Sequence, residues 1–369
     1  MALSNPITLI LAFFLYHVEA FTFSNTSSFD VLDYVDQLIG TDNGGNVFAG
    51  ATLPYGMAKA VADVNGQNTA GFSTDGSNVT GFSHMHDSGT GGNPSLGNFP
   101  LFPQYCPDDV LDNCAFPITA RATPYINESV IATPGYFSLS LANGITADMT
   151  VTKHTALYRF SFPPAELDSG ASLSPLIMLD LTDLNASRQN ATVSVDDTGR
   201  IKGNGTFFPS FGEGTFVLHF CADFAGAPIK DTGIFVNNRA GTEPKELFVT
   251  RGINLYYIEA GSFVRFNGSA NTTISARVGV SFISADQACQ SAETEIPGLD
   301  WDFDGVKESA EDAWRQKLNV VSVVPGGADD NLQTTFWSAI YRTMMSPQNY
   351  TGENPLWESS EPYFDSFYW

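Results

Sequence analysis

The sequence predicts a mainly β protein, a large antiparallel two-sheet β-sandwich that is followed by a helical segment. From Val31 to about Ile283, short runs alternate apolar and polar residues, which is typical of strands with one buried face. Glycine, asparagine and proline separate these runs, as expected for turns between antiparallel strands. Beyond Ala285 the apolar residues recur at helical spacing instead. We therefore expect the sandwich domain to occupy residues 28–290.

Length and composition agree with this division. The 369 residues are enough for two domains, and 43% of them are hydrophobic. Only 15% are charged, so Asn, Ser, Thr and Gly carry most of the polarity, which is typical of secreted β-rich proteins. A net charge of −23 would repel phosphate backbones, so we expect no nucleic-acid partner.

Four segments show the clearest strand-like alternation of apolar and polar residues. Their length and number suit two packed sheets. Asp148 and Arg159 fall on the first two of these segments, and we expect them to pair as a structural contact. The four segments are residues 146–152, 155–162, 215–220 and 275–282.

A first helix is predicted over residues 306–318, where Ala310, Trp314 and Leu318 share one face. It forms part of a helical linker that we place at residues 300–325. The linker ends in a β-like apolar run at residues 320–324.

A second helix is predicted to begin at Asp329 or Asp330, because either carboxylate can cap its first turn, and to end near Met345. Residues 360–362 predict a further helix start with proline in the first turn. Together these helices predict the start of a second, α-helical domain at residues 326–369.

The N-terminus predicts a secretory signal peptide over residues 1–20. An apolar run at residues 7–18 leads to the small-x-small sequence Val18-Glu19-Ala20, although the basic residues that usually open a signal peptide are missing. The run is too short to span a bilayer, and no later segment is long and apolar enough. We therefore expect a secreted, extracellular protein without a membrane span.

Sequons for N-glycosylation are frequent, which supports an exported, glycosylated surface. They begin at Asn25, Asn78, Asn127, Asn185, Asn190, Asn204, Asn267, Asn271 and Asn349.

Four cysteines allow two disulfides in an oxidising compartment. Cys106 and Cys114 would close a short loop, which leaves Cys221 and Cys289 as the second pair. A metal site is the alternative, although the CxxC spacing of such sites is absent.

Two glycine-rich stretches, residues 40–57 and 81–92, place polar side chains on sharply bending loops, and we expect both loops to contact a sugar. A tight inter-strand connection would explain the glycines but not the clustered polar residues. A phosphate-binding loop is rejected because the Gly-Lys-Ser/Thr ending is missing. The candidate sugar-binding residues are Asp42, Asn43, Asn46, His84, His86, Asp87, Ser88 and Thr90.

The two histidines also admit other interpretations. His84 and His86 would share one face of a strand, and with Asp87 they resemble part of a zinc site. A distant third ligand is lacking in the pattern, so the metal interpretation is the weaker one. Alternatively, one histidine is a buried hydrogen-bonding group and the other borders a cleft.

These two stretches resemble the N-terminal domain of glycoside hydrolase family 92, the calcium-dependent exo-acting α-mannosidases, and secreted fungal members in particular. Residues 132–137 and 336–347 extend the resemblance, which runs from about Tyr34 to Trp369. Most members of the family have histidine where this chain has Asn46, and this difference weakens any role that needs an imidazole there.

The resemblance implies that an (α/α)6 barrel follows the sandwich, beginning at about Asp329, so residues 326–369 would be the truncated start of a catalytic domain. It implies calcium-assisted, inverting hydrolysis of terminal α-1,2-linked mannose from N-glycans or mannoproteins. The catalytic acid and base, and most calcium ligands, would lie in the helical domain beyond this chain. Glu358, Glu361 and Asp365 are late carboxylates that we do not adopt as catalytic.

The resemblance therefore predicts a mannosidase part that binds mannose-containing glycans, is inactive alone, and needs a C-terminal helical domain to cover residues 331–369. Two alternatives remain at this point. One is a non-catalytic, secreted, carbohydrate-binding β-sandwich, and the other is a structural cell-surface glycoprotein.

Overall fold

The computed structural model describes residues 29–66, 70–86, 96–164, 173–252, 255–267, 272–323 and 328–365. The predicted signal peptide lies outside these ranges, as do Asn25, Asn271, Asp87, Ser88 and Thr90. From Val31 onward the chain forms one compact unit.

Strands dominate the described residues. In chain order they are β1 Ala51–Thr52, β2 Lys59–Val64, β3 Val79–Ser83, β4 Leu101–Cys106, β5 Ile131–Thr133, β6 Tyr136–Ser140, β7 Thr146–Val151, β8 Thr155–Phe162, β9 Ser174–Asp180, β10 Asn190–Val195, β11 Ile201–Phe207, β12 Phe216–Ala225, β13 Ile229–Val236, β14 Arg239–Gly241, β15 Glu246–Thr250, β16 Ala260–Phe266, β17 Thr272–Ser281, β18 Gln348–Asn349 and β19 Phe364–Asp365.

Two large antiparallel sheets contain most of these strands. One sheet has the order β1-β2-β3-β4-β9-β16-β13-β14, and the other has the order β15-β10-β11-β12-β17-β8-β7-β6-β5. Aromatic side chains join the two sheets: Phe82 of β3 packs on Phe160 of β8 with ring centroids 5.6 Å apart. Phe224 of β12 packs on Phe266 of β16 at 6.0 Å. The predicted mainly β fold with two packed sheets is therefore confirmed.

The burial of individual residues explains why some strands show an alternation of apolar and polar residues in the sequence and others do not. In β10 the apolar residues Ala191, Val193 and Val195 are buried, while the residues between them are partly exposed. In contrast, every residue of β9 is buried. This strand lies in the middle of its sheet, between β4 and β16, so both of its faces are covered.

Four α-helices are described: α1 Ile118–Arg121, α2 Ala285–Glu295, α3 Phe303–Leu318 and α4 Asp330–Thr343. The Asp329 carboxylate accepts a hydrogen bond from the Leu332 N–H at 2.8 Å and so caps α4. The predicted helices at 306–318 and from Asp329 are thus confirmed, with α3 beginning three residues earlier than predicted. α2 was not predicted.

Two local predictions were wrong. Among the described residues, the apolar run at 320–323 contains no strand, and Val320 is largely exposed. The predicted helix start at 360–362 is irregular chain that leads into β19, and β19 pairs with β18 through Gln348 and Asp365. Long-range pairing overrides the local helix signal there.

Both predicted disulfides are present, Cys106–Cys114 and Cys221–Cys289. The second bond fixes α2 to β12, because Cys221 lies on that strand and Cys289 lies in the middle of the helix. Arg159 and Asp148 also pair as predicted, with Nε and Oδ2 3.1 Å apart.

Candidate functional site

The first polar stretch forms an irregular loop before β1. Asn43 and Asn46 both adopt left-handed backbone conformations with φ of 54°, which asparagine tolerates better than most residues. The Asp42 carboxylate accepts a hydrogen bond from the Asn43 N–H at 2.6 Å, and the Asn46 amide donates to the Gly44 carbonyl at 2.9 Å. Asn43 is exposed and the other two are half-buried, so this loop presents polar groups to solvent.

The second stretch begins in the core. His84 follows β3 and is fully buried. Its Nε2 donates to the Phe99 carbonyl oxygen at 2.8 Å, and its Nδ1 lies 2.7 Å from the Tyr158 hydroxyl. Burial lowers the pKa of His84 to about 3, so the ring is neutral at physiological pH. In this structure His84 links β3 to β8 across the sandwich.

His86 is also buried, and a carboxylate lies next to it. Its Nε2 lies 3.0 Å from Oδ1 of Asp63 on β2 and 2.6 Å from the Ser83 hydroxyl. Its Nδ1 has no hydrogen-bond partner among the described residues. The sequence-predicted partner Asp87 lies outside the described residues, as do Ser88 and Thr90, so their sugar contacts stay predictions.

The structure brings the two stretches together at one point. Phe48, two residues after Asn46, packs its ring 5.9 Å from the His86 ring. The Thr41 hydroxyl of the first loop also lies 3.1 Å from the Thr74 hydroxyl, in the connection from β2 to β3. The first stretch therefore contacts both the second stretch and the connection from β2 to β3.

Sequence reasoning missed Asp63 and Asp183. Asp63 interrupts the apolar strand β2, and a lone carboxylate in such a strand is a usable signal for a buried polar contact. Asp183 is buried beside the segment at 96–99, to which its neighbours Leu184 and Thr182 hydrogen-bond. Burial raises the pKa of Asp183 to about 6, against hydrogen bonds from Ser187 that lower it.

Comparison with known families decides the identity. Residues 34–281 match the "Glycosyl hydrolase family 92 N-terminal domain", which is more than half of the chain. Residues 287–368 match the "Glycosyl hydrolase family 92 catalytic domain". The chain belongs to glycosyl hydrolase family 92.

A secreted relative extends this result. A protein of Arthroderma benhamiae described as an "Uncharacterized secreted glycosidase" is 62% identical over 343 residues, which are 92% of this chain and 44% of the relative. The chain therefore spans less than half the length of this relative.

Solved structures of family 92 share the fold. An α-mannosidase of Bacteroides thetaiotaomicron superposes with a TM-score of 0.72 at 22% identity, covering 87% of this chain and 42% of that one. An inverting mannosidase of the same organism gives a TM-score of 0.71 at 21% identity, covering 87% and 40%. At this level of identity the likeness establishes the architecture of the chain.

Several carboxylates lie near the end of the chain, within the match to the family 92 catalytic domain. Glu358 and Glu361 are exposed, and Asp365 accepts a hydrogen bond from the Tyr363 hydroxyl at 2.7 Å. Glu353 is buried and holds β17 and α2, since it accepts hydrogen bonds from the Phe282 N–H at 2.7 Å and the Gln287 amide at 2.7 Å. Glu353 is therefore occupied by structural contacts.

The described residues show no cluster of acidic, histidine or cysteine side chains at a metal-binding spacing. They contain no group of three or more His, Cys, Asp or Glu that is placed to hold a metal ion. Within the same residues, no helix has the length and apolarity needed to cross a membrane.

Proposed function

We propose that this chain is the carbohydrate-binding N-terminal part of a secreted α-mannosidase. The observation that carries the proposal is the pair of matches, to an N-terminal domain over residues 34–281 and to a catalytic domain over residues 287–368 of the same glycosyl hydrolase family. The description of the Arthroderma benhamiae relative as a secreted glycosidase and the mannosidase structures of the same fold support it.

The proposed substrates are glycans with terminal α-linked mannose, α-1,2-linked mannose in particular. The exposed polar loop around Asn43 and the candidate residues after His86 would form one wall of the sugar-binding cleft. Carboxylates, amides and hydroxyls suit this task because each can accept or donate hydrogen bonds to sugar hydroxyls.

Hydrolysis itself requires more than these loops. An inverting glycosidase uses two carboxyl groups roughly 6.5–9.5 Å apart, one as acid and one as base, with room for a water between them. We propose that this pair, and the calcium ligands, belong to the remaining catalytic part that longer relatives contain. Calcium is a hard cation that takes oxygen ligands, which include sugar hydroxyls.

The test is mannose release from α-1,2-mannobiose. We would compare this chain with a longer chain that carries the remaining part of the Arthroderma benhamiae relative, each with and without a calcium chelator. The proposal expects release by the longer chain only, loss of release with chelator, and an inverted anomeric product by NMR. Chelator-sensitive release by this chain alone would contradict its proposed inactivity and would make Glu358, Glu361 and Asp365 the candidates. Failure of both chains would overturn the proposed activity.

The alternative, a non-catalytic carbohydrate-binding sandwich, is separated by the same experiment. It expects mannoside binding without turnover even in the longer chain. Exposed apolar residues in the C-terminal part count against a self-sufficient module: Leu332 is 60% exposed and Trp357 is 54% exposed, although Trp337 is buried. We propose that the helical domain of the longer relatives covers the segment 331–369 at its exposed apolar side chains, such as Leu332 and Trp357.

A further inference from the structure

A cleft of about 570 Å³ is lined by residues of the β1–β2 turn, of α3 and of the short β18–β19 sheet. Tyr55, Lys153, His154, Lys317, Asn349 and Phe364 are among the residues that line it. We call it the lysine cleft. Its volume lies within the range of small-molecule sites, which run from about 300 to 1,000 Å³.

The charge of the lysine cleft is opposite to that of the molecule. The chain has 40 acidic and 17 basic residues, yet the lining of the cleft, within the part of the chain that the structure describes, includes Lys153, His154 and Lys317 and neither Asp nor Glu. His154 forms a pair with Glu295, with Nδ1 and Oε1 2.6 Å apart. The two lysines therefore give the cleft its positive charge.

The other lysines of the chain are engaged elsewhere. Lys202, Lys230, Lys245 and Lys307 each pair with a carboxylate. Lys59 is fully buried and donates to the Met345 carbonyl oxygen at 3.0 Å. Lys153 and Lys317 are exposed and form no ion pair within the described part of the chain. Both exposed, unpaired ammonium groups thus line the same cleft in a strongly acidic protein.

An aromatic wall faces these charges. The Tyr55 and Phe364 rings meet edge to face with centroids 6.1 Å apart, and the Lys317 Nζ lies 5.9 Å from the Tyr55 centroid. Tyr55 has φ of 56°, a conformation that a bulky residue adopts only when its surroundings hold it. Its N–H donates to the Met344 carbonyl at 2.7 Å, and its carbonyl accepts from the Asn349 N–H at 2.8 Å. The backbone of Tyr55 is therefore held on both sides at the edge of the cleft.

We propose that the lysine cleft binds an acidic saccharide. The sugar ring would pack its apolar face on Tyr55 and Phe364, and a phosphate or carboxylate group on the sugar would contact the ammonium groups of Lys153 and Lys317. Ammonium groups are point charges that bind either anion. This binding needs no hydrolysis, so it stands or falls separately from the proposed mannosidase activity.

Calorimetric titration of the full chain at low salt tests the ligand class. The probes are mannose 6-phosphate, glucuronic acid, mannose and inorganic phosphate. At least one acidic sugar should bind about tenfold more tightly than either mannose or inorganic phosphate. A higher salt concentration should weaken the binding of that sugar. Binding of the sugar phosphate alone would identify phosphate as the recognised anion, and binding of glucuronic acid alone would identify carboxylate. Equal binding of mannose, equal binding of inorganic phosphate, or no binding of either acidic sugar would overturn the proposal.

Variants locate the site. Lys153 and Lys317 lie in different parts of the fold. Each of the variants Lys153→Gln and Lys317→Gln should weaken binding of the acidic sugar about fivefold, as expected for the loss of one exposed charge pair. Lys307→Gln is the matched control, because Lys307 lies on the same helix as Lys317 but outside the cleft lining. Thermal unfolding checks that all three variants fold. Unchanged binding in both cleft variants, or an equal loss in the control, would overturn the assignment.

Discussion

Trp314 donates its indole N–H to the carbonyl oxygen of Thr52 at 2.6 Å. This bond joins the middle of α3 to β1, and the indole is fully buried against the ring of Tyr341, with centroids 4.3 Å apart. One side chain thus connects the sandwich to both C-terminal helices.

Trp314→Phe should lower the free energy of unfolding by about 2 kcal/mol, because it leaves a buried carbonyl without its donor. Denaturant unfolding measures this. Trp301→Phe is the control: Trp301 is half-buried and donates to the Gly298 carbonyl at 3.0 Å, where water can replace the lost bond. Equal losses in the two variants would contradict the connecting role of Trp314.

The pair of His154 and Glu295 should make stability depend on pH. Burial opposes charge on His154, but the hydrogen bond and the charge of Glu295 outweigh burial and raise its pKa above 6.5. Burial likewise opposes charge on Glu295, yet hydrogen bonds from His154 and Thr152 lower its pKa below 4.5. The contribution of His154 is complete below pH 6.5 and is lost as the pH rises through its folded pKa. The contribution of Glu295 is present above pH 4.5 and is lost as the pH falls through its folded pKa.

His154→Gln should therefore lower Tm most between about pH 4.5 and 6.5, by roughly 2 °C or more, and progressively less at higher pH. His219→Gln is the contrast, because burial lowers the pKa of His219 and the native protein favours its neutral form. The stability that His219 contributes is lost as the pH falls. Melting curves from pH 4 to 9 that show the same profile for both variants would contradict this account.

The two disulfides should contribute unequally. Cys221–Cys289 spans 68 residues and Cys106–Cys114 spans 8. In the chain-entropy description these loops correspond to roughly 4 and 2.5 kcal/mol of stabilisation. Paired Cys→Ala variants, compared by guanidinium unfolding, should rank in that order. A larger loss for Cys106–Cys114 would show that native-state contacts, rather than loop closure, set the contribution.

The sugar-binding loops are tested in the longer, active chain. Asp42→Ala and Asp87→Ala should each lower kcat/KM for mannobiose by about tenfold, because each would remove a charged acceptor of sugar hydroxyls. Asp197→Ala, at a highly exposed aspartate in the turn between β10 and β11, should leave the kinetics unchanged. Wild-type kinetics in both loop variants would remove these residues from the site.

The sequence predicted the fold well where burial is periodic. β10 repeats a buried residue at every second position, and α4 begins at a carboxylate that caps it. α2 was not predicted, because its buried residues Ala288, Cys289 and Ala292 are small and produce only a weak helical pattern of apolar residues. The run at 320–323 was misread because its residues are apolar but lie on the surface.

The site was harder to predict than the fold, for a physical reason. His84 and His86 are two residues apart in sequence, but their environments come from Tyr158 and Asp63 on other strands. The pattern could mark these histidines as unusual, yet it could not tell that both are buried. The lysine cleft was not predicted either, since its lysines lie about 160 residues apart.

The two backbone hydrogen bonds of Tyr55 have a consequence for biosynthesis. Its backbone partners, Met344 and Asn349, follow about 290 residues later in the chain. At roughly 5–20 residues per second, a ribosome needs on the order of 15–60 seconds to make that stretch. Throughout that interval the N–H and carbonyl of Tyr55 lack their native partners, so the turn between β1 and β2 completes its native hydrogen bonds only after most of the chain has been made.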